Sequence, residues 1–190
     1  MKKRFYLAIV LALFTNQASA FSLVWLQPMI EPNTAPWQLE QLQDSMELYD
    51  CGLEKENQAF CSDVIKYYNV DVESRLLVQS NVVQHIEITA PYSSIAYAEL
   101  QLNLRKDGYV LAKAVINGRE YDAIKALKSK PIKLVNREMV MFINDGPISS
   151  SRELIWYPNS EYYAEQPSRE AIFSSDKQGI KLTFKRINRP

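Results

Sequence analysis

Residues 99–116 read ELQLNLRKDGYVLAKAVI, and their periodicity decides the fold class. Leu100, Leu102 and Leu104 alternate with Glu99, Gln101 and Asn103, the period of a half-buried strand. Lys106-Asp107-Gly108 then leads into the apolar-rich run 109–116. A two-residue Asp107-Gly108 turn would set Leu102 opposite Lys113. A three-residue loop with Gly108 in the left-handed position sets Leu104, Leu102 and Leu100 opposite Val110, Ala112 and Ala114. The second register buries only apolar groups, so it is the one expected.

Working outward, Ile86 and Ile88 alternate with His85, Glu87 and Thr89 in a strand that ends at Pro91. Asn117-Gly118 is a second hairpin turn, returning through 119–121. Asp122 caps a short helix over AIKALKSK, which Pro131 stops. Further strands are expected at 132–135, 139–143, 153–157, 171–174 and 180–185. In the last, Ile180, Leu182 and Phe184 face inward and Lys181, Thr183 and Lys185 outward.

The N-terminal part has a different period. After a proline-punctuated arm, Leu39, Leu42, Met46 and Tyr49 recur at spacings of three, four and three, one stripe of a helix that starts near Pro36 and ends near Asp50. Phe60, Val64, Ile65 and Tyr68 share a face of a second helix over 54–68. The expected fold is therefore α+β, an N-terminal helical hairpin packed on a mainly antiparallel β-sheet.

The first twenty residues read as an export signal. Lys2, Lys3 and Arg4 precede the apolar run FYLAIVLALF, and Ala18-Ser19-Ala20 supplies the small residues of a cleavage site before Phe21. The organisation expected is a signal peptide at 1–20 and one periplasmic or secreted domain at 21–190. The longest apolar run after Phe21 is five residues, far short of the ~20 of a membrane helix. From the short leader and the lack of an N-x-S/T acceptor site, a bacterial source is expected.

In an oxidising compartment Cys51 and Cys61, the only two cysteines, are expected to pair. A spacing of nine intervening residues lacks the C-x-x-C geometry of a redox-active pair.

The chain holds 22 basic and 22 acidic residues, and removing the three leader bases leaves a net charge of −3, without the footprint of a nucleic-acid binder. The charge is divided, with a net of −7 over 31–63 and +5 over 177–189. A single histidine, His85, excludes a histidine-rich metal site, and no phosphate loop, dinucleotide fingerprint or nucleophile elbow occurs. Ser174-Ser175-Asp176-Lys177 has the letters of S-x-x-K but sits at a turn before Gly179. Asp71 and Glu73 alternate on a strand edge and do not make a calcium cage by themselves. No cofactor and no metal is expected.

Two polar connections, 144–151 and 158–169, are long enough to bind a partner. Trp156, Tyr157, Tyr162 and Tyr163 cluster around the second, and such rings supply contact area at small entropy cost. Lys181, Lys185 and Arg186 on the last strand add a basic surface for an acidic envelope or secreted protein.

Residues 100–127, a hairpin followed by a short helix, faintly resemble the periplasmic C-terminal domains of energy-transducing envelope proteins. The likeness covers less than a sixth of the chain, and no function is carried over from it. The function expected from the residues is an exported, non-enzymatic binding or accessory protein of the bacterial envelope, of inhibitor, immunity or assembly-factor type. The alternatives are an envelope-polymer hydrolase using a carboxylate pair and a small-ligand carrier.

Overall fold

The computed structural model describes residues 23–53 and 55–187; the expected leader and its cleavage point lie outside the described residues. Ten antiparallel strands form one sheet: β1 (Tyr49–Asp50), β2 (Ala59–Cys61), β3 (Ile65–Tyr67), β4 (Val70–Gln79), β5 (Val82–Pro91), β6 (Tyr109–Ile116), β7 (Arg119–Asp122), β8 (Arg152–Pro158), β9 (Arg169–Ser175) and β10 (Gly179–Arg186). Their order across the sheet is β1-β2-β4-β5-β10-β9-β8-β6-β7, with β3 beside β4. The helices are α1 (Gln27–Ile30), α2 (Leu39–Gln43), α3 (Ser94–Lys106), α4 (Ala123–Leu127) and α5 (Ile132–Ile143). The class is α+β, as the periodicity predicts.

Alternation along the central strands gives the sheet one apolar face, although Thr183 of β10 is buried as well. Ile86 and Ile88 of β5, Leu182 and Phe184 of β10, Phe173 of β9 and Leu154 of β8 are all at most 1% exposed. The opposite face carries Glu87, Lys181, Glu170 and Glu153, which stay in contact with water. Helix α3 crosses the apolar face, and the Tyr97 ring meets Phe173 edge-on at 5.4 Å.

The stretch 99–105 is helix, not strand. Ser93 caps α3, its hydroxyl accepting from the Ala96 amide at 3.0 Å. Ala96, Tyr97, Leu100 and Leu104 are buried, whereas Leu102 is 44% exposed. Between Ala96 and Asp107 no β-branched residue occurs, and the Leu, Ala, Glu, Gln, Arg and Lys there favour a helix. Gly108, at φ +81, follows the helix end as a left-handed residue, so it ends a helix instead of closing a hairpin. Strand β6 finds its partners elsewhere, in β7 and β8.

The expected N-terminal helical hairpin is also replaced. Only Leu39–Gln43 is helical; Met46 is fully exposed, and 54–68 contributes strands β2 and β3 to the edge of β4. Left-handed backbone at Asn57 and Tyr68 breaks that stretch into short extended pieces, and long-range pairing with β4 outweighs its helical spacing. The disulfide is present, with Cα atoms 5.8 Å apart, but it staples strands β1 and β2. Residues 132–135 and 139–143, expected as two strands, are one helix, α5, because Val135 and Met139 are buried one turn apart on a common stripe.

Other expectations match. Asn117 and Gly118 both have positive φ in the β6–β7 turn, Asp122 Oδ1 caps α4 by accepting from the Lys125 amide at 2.8 Å, and β8, β9 and β10 include the residues assigned to them. No helix among the described residues is long and apolar enough to cross a membrane.

Candidate binding cleft

Helix α5 packs against α4 and strand β6. Val135 and Met139 reach the core, while Asn136, Met139, Val140 and Ile143, at spacings i, i+3, i+4 and i+7, line a cleft of about 630 Å3 between the helix and the ends of β6 and β8. The opposite wall consists of Tyr109, Val110 and Leu111 from β6, Trp156 from β8 and Tyr162. Arg105, at the end of α3, stands beside Gly108 at one side.

Three tethers set the cleft's shape. The buried guanidinium of Arg152 donates to the carbonyls of Ile143, Pro147 (2.8 Å) and Gly146 (3.2 Å), holding the C-terminal end of α5 where its dipole favours a cation. Midway along α5, Glu138 accepts from Tyr121 and Lys130, both at 2.8 Å. Burial and this carboxylate push the Tyr121 hydroxyl up to about 12. The third tether is Tyr162, 7% exposed, whose hydroxyl donates to the Leu111 carbonyl at 3.2 Å.

The electrostatics of the lining are one-sided. Arg105 is its only charged side chain, its guanidinium lies 5.8 Å from the centre of the Trp156 ring, and no carboxylate of the described residues pairs with it. Trp156 is fully buried and its indole N–H has no acceptor among the described residues. A buried donor without a partner is costly, and it is commonly met by water or a ligand.

The residues expected to form a binding surface are divided by this arrangement. Trp156 and Tyr162 meet in the cleft, and Tyr163, 70% exposed, contacts the Tyr162 ring edge-on at 5.1 Å. Tyr157 alternates to the other face of the sheet, half-buried opposite Val110. Lys181 and Lys185 also face that side, near Glu87 (3.6 Å) and Glu170 (3.9 Å). Arg186 is engaged within the chain, donating to the carbonyls of Pro28 and Thr34 at 3.0 and 3.2 Å. Trp156 and Tyr162 therefore share no surface with Lys181 and Lys185, whereas Tyr157 lies on the lysines' side of the sheet.

Loop 158–169 is similarly fastened. Glu161 pairs with Arg169 at 2.7 Å and also accepts from Ser168. Burial opposes the charge of Glu161, but Arg169 and Ser168 outweigh it and hold the carboxyl below its ordinary value. Arg169 in turn donates to Ile30 (2.7 Å) and Met29 (3.3 Å), and the Tyr109 hydroxyl to Met29 (2.6 Å), so α1 is clamped to the sheet.

The remaining sequence candidates lie away from the cleft. His85 is a β5 residue on the solvent-facing side, its ring held below its ordinary value by burial and by Lys185, against Glu87 and Glu170. Asp176 organises the turn after β9 by accepting from the Gln178 and Gly179 amides, as its place before Gly179 predicts. Asp71 pairs with Lys66 at 2.6 Å on the surface, and among the described residues no group of three or more His, Cys, Asp or Glu side chains is placed to hold a metal.

Sequence reasoning missed Arg105, Asn136, Met139, Val140 and Ile143. The signal was the helical spacing of the last four, hidden when 132–143 was divided into two strands. Compared with known proteins, the chain matches no family model, and no curated protein or solved structure is significantly similar to it.

Proposed function

We propose that this chain is an exported, non-enzymatic binding protein of the bacterial envelope that holds its partner in the α5 cleft. The observation that carries this reading is the lining of the 630 Å3 cleft, apolar on both walls with a single cation and no carboxylate. That volume and composition suit a ligand or an inserted apolar group. The lining of this cleft holds none of the paired carboxyl groups that a polymer hydrolase uses. Export is supported by the basic-apolar-small pattern of residues 1–20 and by the Cys51–Cys61 disulfide.

Two kinds of occupant suit the reading, an apolar anchor of an envelope protein and a small apolar ligand. Replacing Val140, 54% exposed at the cleft, with a photoreactive benzoylphenylalanine tests it in living cells. Irradiation should give a discrete adduct, resolved by mass, that the same replacement at Glu153 on the opposite face does not give. No adduct, or equal adducts at both positions, would reject the cleft as the binding site.

A further inference from the structure

We propose that the occupant of the α5 cleft is a medium-chain fatty carboxylate, its head at Arg105 and its alkyl chain along α5. This rests on the binding reading above and names its ligand. The charge argument is direct: one cation, no acid in the lining, and no carboxylate of the described residues paired with that cation, whose contact is the Trp156 ring. An anion is favoured there, and a cationic ligand meets only repulsion.

The shape argues for a chain instead of a single inserted side chain. From Asn136 to Ile143 the α5 stripe extends about 10 Å at ~1.5 Å per residue, with Met139, Val140 and Ile143 as its apolar members. Leu111 and Trp156 face this stripe across the cleft. One aliphatic side chain of a partner protein would leave most of the 630 Å3 empty and the walls without contacts. An extended alkyl chain meets both walls along their length. Trp156 adds a flat apolar wall beside the proposed head position, its ring centre 5.8 Å from the Arg105 guanidinium.

Calorimetric titration of the mature protein with octanoate, decanoate, decanol and decyltrimethylammonium, all below their aggregation limits, tests the proposal. Decanoate should bind about fifteenfold more tightly than octanoate, the effect of burying two methylenes. Decanol should bind at least tenfold more weakly than decanoate, and the ammonium not measurably. Arg105→Gln should lower decanoate affinity to that of decanol while leaving decanol unchanged, and Val140→Trp should remove both. Arg105 is exposed, so the first variant is expected to fold and carries the test if the second does not. Equal binding of decanol and decanoate, insensitivity to Arg105→Gln, or no decanoate binding would overturn the proposal. A protein adduct at photoreactive position 140 together with no decanoate binding would retire the fatty carboxylate and leave the binding reading standing.

Discussion

The Tyr67 hydroxyl donates to the buried carboxylate of Asp107, tying strand β3 to the C-terminal end of helix α3. Tyr68 donates to the other oxygen of the same group, and Asn103 Nδ2 to the Tyr67 carbonyl at 3.2 Å. A turn residue of a misread hairpin is thus the acceptor on which a helix and an edge strand are joined. Burial holds the Asp107 carboxyl above its ordinary value, although both tyrosines and Lys106 pull it down.

That direction fixes the sign of a pH effect. The folded state binds the Asp107 proton more tightly than the unfolded chain, so its contribution is complete below the unfolded value of ~3.9 and is lost as pH rises through the folded value. In denaturation from pH 4 upward, the stability of wild type relative to Asp107→Asn should fall with rising pH. Parallel profiles would mean that Asp107 titrates alike in both states.

The helical reading of 94–106 makes neighbouring leucines unequal. Leu104 is fully buried, so Leu104→Ala should cost ~2–5 kcal/mol, while Leu102→Ala on the exposed side should cost less than ~1. A strand with inward Leu102 would make the two losses similar. Urea denaturation of both variants separates these outcomes.

Glu161→Ala should destabilise the protein by ~3 kcal/mol, because it leaves the guanidinium of Arg169, 1% exposed, buried without its counter-charge. The Glu161 carboxyl is held below its ordinary value, so its contribution is present above the unfolded value of ~4.3 and is lost as pH falls through the folded value. The difference between wild type and variant should accordingly shrink in acid. A difference that is constant with pH would show that the ion pair is not its source.

Mutating both Cys51 and Cys61 to Ala should lower stability by ~2.8 kcal/mol through loop-closure entropy in the unfolded chain. Since the bridge joins β1 to β2 at the sheet edge, amide hydrogen exchange should rise first in 49–61 and leave β9 and β10 protected. Uniform loss of protection would place the disulfide in the global folding unit.

Tyr163→Ala should leave the melting temperature unchanged, since its side chain is 70% exposed. Tyr162→Ala removes a buried ring and its bond to Leu111 and should lower the melting temperature by several degrees. Equal effects would contradict the unequal burial of these two touching rings.

The sequence by itself determined the features that depend on near neighbours. The alternation of Ile180, Leu182 and Phe184 set the inward face of β10, Asn117-Gly118 closed a tight turn, Asp122 capped α4, and the spacing of Cys51 and Cys61 suited a structural bridge. Only the tertiary structure decided the ambiguous periods. Leu100-x-Leu102-x-Leu104 is compatible with a strand, but Tyr97 packing on Phe173 and the Asp107–Tyr67 bond favour the helix, in which Leu102 faces water. Likewise 54–68 gave up its helical stripe because β4 offered unpaired edge amides and carbonyls. The cleft itself was beyond local reading: Arg105, Val140 and Trp156 come from three distant segments, and their meeting depends on how Arg152 anchors the C-terminal end of α5 and Glu138 its middle.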